Sequence, residues 1–176
     1  MLDECFNSFL DESEEFTMKD KLYNDNLFIL KAFTKLYAMA GVRLGYAFLN
    51  NNGLIEKINQ IRQPWSVSLV AQEAGISALK EVEYVEKTKE IIRIERNFLI
   101  SQLKNLNASV IGSKANYIFF KFDDRELDKK FRKKGILIRS CGNYKGLDNT
   151  YYRIAVKNHE ENTIFIKNFD EIKRGL

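Results

Sequence analysis

Proline, histidine and tryptophan each occur once in this 176-residue chain, and cysteine only twice. The one histidine, His159, lies in a polar stretch, which argues against a Ser-His-Asp triad and against a histidine-rich metal site. Cys5 and Cys141 stand far apart and show no metal-ligand spacing. Their number alone permits a disulfide, but a reduced pair in the cytoplasm is the expectation. One proline and nine glycines argue against disorder or a low-complexity linker. No apolar run approaches the roughly 20 residues needed to span a bilayer. Met1-Leu2-Asp3-Glu4-Cys5 lacks the basic and apolar regions of a secretion signal. Charge of one sign is scarce too: 28 basic residues against 24 acidic leave +4, spread along the chain. That is weak support for a nucleic-acid partner.

Apolar residues make up 45% of the chain and aromatics 12%, enough for a packed core. Leu27-Phe28-Ile29-Leu30 reads as a short buried strand and Val42 to Leu49 as another. Leu54, Ile55, Ile58 and Ile61 recur at helical spacing and stop before Pro64. Further helices are expected from about Ser68 to Lys80 and from about Glu83 to Leu106. In the last third, strands are expected at Asn116–Phe122, Ile136–Ile138 and Tyr151–Val156, with helices at Glu126–Lys134 and Ile164–Ile172. The alternation implies an α/β or α+β fold with a boundary in the long helix. Met1 to Phe6 reads as the end of a strand with no Gly-rich phosphate loop before it, so the chain is expected to be the C-terminal part of a longer α/β unit.

The most informative segment is Thr34-Lys35, followed by Gly41-Val42-Arg43-Leu44-Gly45. Lysine forms Schiff bases with carbonyls, and arginine offers a fixed cationic fork for phosphate. A carbonyl and a phosphate on one small molecule describe pyridoxal 5'-phosphate (PLP).

Asp3-Glu4-Cys5-Phe6 and the run from Lys31 through Thr34-Lys35 to Arg43-Leu44-Gly45-Tyr46 resemble fold type I PLP enzymes of the class I/II aminotransferase group. Arg62-Gln63-Pro64-Trp65, Ala115-Asn116-Tyr117, Ile138-Arg139-Ser140-Cys141-Gly142-Asn143-Tyr144 and Tyr152-Arg153-Ile154 extend the likeness over nearly the whole chain. Within the group it is similar to the L-threonine-O-3-phosphate decarboxylases of cobalamin synthesis, with histidinol-phosphate aminotransferases as near relatives. The resemblance implies the end of a large PLP-binding domain over residues 1–80 and a small C-terminal α/β domain over residues 81–176. It also implies a homodimer acting on a phosphorylated amino acid.

Carried over by position, Asp3 resembles the carboxylate that pairs with the pyridine nitrogen, and Lys35 the residue that holds PLP and moves protons at the reacting carbon. Arg43 resembles the clamp on the cofactor phosphate, with Thr34 as a hydroxyl partner. Arg153 matches the arginine for the substrate α-carboxylate, and Arg139 one that meets the substrate's own phosphate. Aminotransferases of the group carry a tyrosine three residues after the aspartate; Phe6 stands there instead, which suits the decarboxylases better.

Plainer readings accompany these. Arg43 inside an apolar strand would be a costly buried charge. Cys141, Trp65 and Tyr144 read as packing residues, and Lys129 to Lys134 as a solvated helix face rather than an RNA patch. A rival of another class is a non-catalytic fragment that only binds or assembles.

Overall fold

The computed structural model describes residues 1–175. They form two compact units, Met1–Thr88 and Lys89 onward, each with its own sheet. Among the described residues no helix is long and apolar enough to cross a membrane.

The first unit is built on three strands in the order β1 (Leu2–Asp3), β2 (Ile29–Ala32), β3 (Gly45–Phe48). β1 runs parallel to β2 and β3 antiparallel to it. The strand expected at Leu27–Leu30 begins later, at Ile29, because Leu27 closes a turn, its N–H donating to Asn24 O at 2.9 Å. The strand expected from Val42 is also corrected. Ala40–Val42 is one turn of 3-10 helix and Arg43 takes the left-handed φ of 59°, so β3 starts only at Gly45. Arg43 is therefore exposed rather than a buried strand residue.

Two helices complete this unit. α1 (Asn52–Ile61) is capped by Asn51, whose Oδ1 accepts the Leu54 N–H at 2.9 Å. α2 (Leu69–Ala78) is capped in the same way by Ser68 on Ala71; such caps satisfy otherwise orphaned helix N–H groups. Gly75 lets α2 close on the chain before β3: a Cβ there would lie 2.5 Å from Leu44 Cδ2.

The division between units falls within the long helix α3 (Val82–Asn105). After it come β4 (Ser109–Val110), β5 (Tyr117–Lys121), α4 (Leu127–Lys133), β6 (Arg139–Ser140), β7 (Tyr151–Ala155) and α5 (His159–Arg174). The sheet is antiparallel in the order β4-β5-β7-β6. Side-chain alternation makes it two-faced. Ile118, Phe120, Tyr152 and Ile154 are buried, whereas Tyr117, Phe119, Tyr151 and Arg153 are half-buried.

The buried face meets Phe131 of α4 and Phe165 and Phe169 of α5. Ring centroids lie 6.1 Å apart for Phe120–Phe169 and 4.9 Å for Phe131–Phe165. Burying each ring contributes about 1.5–3 kcal/mol. Tyr152 is fully buried, its hydroxyl donating to Asp124 O, and burial chiefly pushes its phenol up to about 12.

Two expected elements shift here. Pairing with β7 falls on Arg139–Ser140, not on Ile136–Ile138, whose first residue is held by an N–H bond to Phe131 O. α5 opens at His159, before the expected Ile164, because Asn158 Oδ1 accepts the Glu161 N–H at 2.8 Å. Glu160 and Glu161 sit at its positive end, Lys173 and Arg174 at its negative end.

Candidate functional site

In the first unit, Asp3 ends β1 opposite Leu30 of β2. Its Oδ1 accepts the Cys5 N–H at 2.9 Å. A hydrogen bond from the Cys5 side chain, then this backbone bond, hold the carboxyl below the usual carboxylate range against a smaller effect of burial. Asp3 is thus an anion at neutral pH, as a partner for a protonated ring nitrogen must be. The Cys5 thiol is pushed the other way, to about 11, first by burial and then by Asp3. It stays protonated and unreactive at neutral pH.

Lys35 is presented by a turn that follows β2. Thr34 and Lys35 are bracketed by Phe33 and Leu36, which are 5% and 6% exposed and anchor the turn from both sides. Phe33 packs against Tyr37 and Tyr46, with ring centroids 5.2 and 5.6 Å away. Thr34 is half-buried and Lys35 exposed. The Lys35 Nζ stands 5.8 Å from the centroid of the Phe6 ring. Since Phe6 is three residues beyond Asp3, the amine and the carboxylate flank one short segment. Arg43 Nη1 donates to Ala40 O at 3.0 Å, and the left-handed backbone turns its side chain out to solvent.

PLP asks for an amine, an anion for its ring nitrogen, and a cation for its phosphate. The donor set of this unit fits that demand: an exposed lysine over an aromatic ring, a carboxyl held ionised, and an exposed arginine fork.

In the second unit, Arg139 and Arg153 are direct register partners across β6 and β7. In an antiparallel pair such partners share one face, with Cβ atoms about 4.5–5.5 Å apart. This is the face turned away from the phenylalanine core. Arg139 Cζ stands 5.4 Å from the Tyr144 ring centroid and Arg153 Cζ 5.2 Å from that of Tyr117. Both guanidinium charges also act on Cys141, lowering a thiol pKa that burial raises more strongly. Two cations held side by side repel unless an anion joins them.

Further polar pairings emerge only with the fold. Glu4 and Lys31 form an ion pair at 3.0 Å with side chains 8% and 9% exposed. The signal for Lys31 was its place between Ile29 and Phe33 at strand period; nothing local pointed to Glu4. In the second unit, Glu95 of α3 is buried and meets His159 Nδ1 at 3.0 Å and Asn162 Nδ2 at 2.8 Å. The lone histidine therefore pins the first turn of α5 to α3.

The sequence pattern described as "Aminotransferase class I and II" matches residues 1–169. The threonine-phosphate decarboxylase of Salmonella typhimurium is 31% identical over an alignment covering 100% of this chain and 49% of that protein. Among solved structures, a histidinol-phosphate aminotransferase from Clostridium acetobutylicum superposes with a TM-score of 0.93 at 30% identity, covering 99% of this chain and 54% of the other. One from Sinorhizobium meliloti, in complex with pyridoxal-5'-phosphate, gives 0.83 at 21% identity, covering 99% and 48%. The chain spans about half the length of the curated relatives it matches.

Proposed function

Since the chain belongs to the class I and II aminotransferase family, whose members depend on PLP, we propose that it serves the decarboxylation of L-threonine O-3-phosphate to aminopropanol phosphate. The observation that carries this reading is the in-register pair Arg139 and Arg153. A substrate with a carboxylate and a phosphate gives each guanidinium an anion, each charge-assisted pair contributing roughly 1.5–3 kcal/mol. An amino acid with an apolar side chain leaves one arginine unmatched, which selects against it.

Bound PLP supplies an electron sink beside the substrate's α-carbon. Asp3 would pair with the pyridine nitrogen and Arg43 would clamp the cofactor phosphate, with the Thr34 hydroxyl as a second donor. Lys35 would carry the cofactor and move a proton at the reacting carbon. Arg153 would take the α-carboxylate and Arg139 the substrate phosphate, so the two arginines would hold a substrate by both of its anionic groups. On this reading the whole protein is a homodimer.

A second reading, histidinol-phosphate transamination with a 2-oxo acid, is favoured by the 0.93 TM-score and 30% identity to the Clostridium acetobutylicum enzyme. Phe6 weighs against it, because a phenyl ring cannot give the hydrogen bond expected of a tyrosine there.

Incubating the complete protein with PLP and L-threonine phosphate should release carbon dioxide and leave aminopropanol phosphate. Glutamate formed from 2-oxoglutarate and histidinol phosphate, with no carbon dioxide, would replace this reading by the second. A visible band on adding PLP that Lys35→Ala abolishes is required by both; its absence returns the non-catalytic alternative. Arg139→Ala should weaken phosphorylated substrates by about 2–4 kcal/mol while cofactor loading hardly changes. Equal loss of both would take the phosphate role away from Arg139.

A further inference from the structure

The register of β1 on β2 places Leu2 opposite Ile29 and Asp3 opposite Leu30, and the Glu4 N–H continues it by donating to Leu30 O at 3.0 Å. Side chains alternate along a strand, so Glu4 turns to the buried side while Asp3 stays exposed. There Glu4 Oε2 meets Lys31 Nζ at 3.0 Å. The same oxygen accepts the Thr17 hydroxyl at 2.9 Å, and Oε1 accepts the Met18 N–H at 2.9 Å. One carboxylate thus ties β1, the 17–18 segment and β2 together.

Stability alone does not call for such a pair. Replacing a buried ion pair by apolar side chains of similar volume is often neutral or stabilising. What a charge-assisted hydrogen bond adds is direction. A slip of one residue between paired strands exchanges the two faces, and here it would turn Asp3 inward and Glu4 outward. The pair opposes that slip. Each member is also tied to one functional side chain: Glu4 directly follows Asp3, and Lys31 leads through the anchored turn of Phe33 and Leu36 to Lys35. The two lines meet again where Lys35 Nζ stands over Phe6.

We propose that the buried Glu4–Lys31 ion pair is the positioning element of the cofactor site, fixing the strand register that sets Asp3 and Lys35 against each other. The proposal rests on the roles given above to Asp3 and Lys35.

Removing one partner strands a buried charge, so the test uses the volume-conserving double variant Glu4→Gln/Lys31→Met, with Lys31→Arg as the conservative control. Two readouts are needed. In the first, PLP is added to the full chain, its link to lysine is trapped with borohydride, and labelled peptides are identified by mass spectrometry. Labelling of Lys35 should fall on the order of tenfold in the double variant and stay within about twofold of the parent in Lys31→Arg.

The second readout needs no cofactor. The Asp3 carboxyl is titrated by carbon NMR, and in the double variant its pKa should rise toward the ordinary aspartate range as the Cys5 bonds loosen. Circular dichroism should remain that of the parent. Unchanged labelling together with an unchanged Asp3 titration overturns the proposal. So does a double variant that simply unfolds, since the pair would then be a stability element. If the parent chain is never labelled at Lys35, the cofactor reading fails, and the Asp3 titration still decides whether the pair sets the register.

Discussion

The two units bury different things. In the first, Phe9, Ile29, Phe33, Leu36 and Ala71 are the buried apolar residues, and the ion pair of Glu4 and Lys31 is buried along with them. Trp65 is 95% exposed and Ile61, Leu69 and Val70 between 72% and 83%. In the second, the sheet and its two helices close over a continuous set of rings, with Phe120, Phe131, Tyr152 and Phe169 all at 0%. Close-packed volume holds the second unit, and its arginines sit on a rigid two-faced platform. The first unit closes over a smaller apolar core with one directional ion pair inside it, and its candidate residues sit on short strand ends and turns. Geometry that depends on a few bonds is easier to lose, by mutation or by protonation.

The largest effect should come from the packed side of this contrast. Phe169 touches Phe120, Phe122, Phe131 and Phe165. Phe169→Ala should therefore cost about 3–5 kcal/mol in denaturant unfolding of the second unit. Val70→Ala in the first unit should stay within about 0.5 kcal/mol, because its side chain is already in water. Comparable losses at the two sites would erase the distinction.

Acid should open the first unit before the second. Burial alone would raise the Glu4 pKa, but the Met18 N–H, Lys31 and Thr17 together hold it below the ordinary glutamate range. A folded pKa below the unfolded one means stabilisation that is complete above the ordinary carboxylate range and lost as pH falls through the folded value. Protonated Glu4 also leaves Lys31 buried without its counter-charge, at a cost of about 3 kcal/mol. In a pH titration by NMR, signals of β1 and β2 should therefore disappear as pH falls through and below the ordinary carboxylate range while those of β5 and β7 persist. Simultaneous loss would mean that Glu4 does not govern the acid limit.

Much of this contrast was legible along the chain, and the illegible parts share a cause. α1, α2, α3, β5 and β7 follow from apolar period, which is a local signal. Thr34, Lys35 and Arg43 were singled out as candidates by their spacing, and Asp3, Arg139 and Arg153 by the resemblance. The start of α5 was missed because its first turn, His159 to Asn162, is polar; Asn158 and the buried Glu95 hold it. Arg43 was placed in a strand because Val42 and Leu44 flank it, yet backbone conformation decided otherwise. The Glu4–Lys31 pair joins residues 27 positions apart in the chain. No window along the sequence brings them together; only strand pairing does.

The smallest effect sharpens the comparison at equal chemistry, since an asparagine caps a helix in each unit. Asn158→Ala removes the bond to the Glu161 N–H, and Asn51→Ala the equivalent bond to the Leu54 N–H. Loss of such a cap costs about 1 kcal/mol in either place. α5 buries Phe165, Phe169 and Ile172, so its cap is coupled to the core and Asn158→Ala should lower the denaturation midpoint of the second unit. α1 has no buried residue, so Asn51→Ala should appear as faster amide exchange within α1 and leave global unfolding of its unit nearly unchanged. A global loss at Asn51 as large as that at Asn158 would show that the first unit folds with the cooperativity of the second, and that exposure of its apolar side chains does not mark weaker packing.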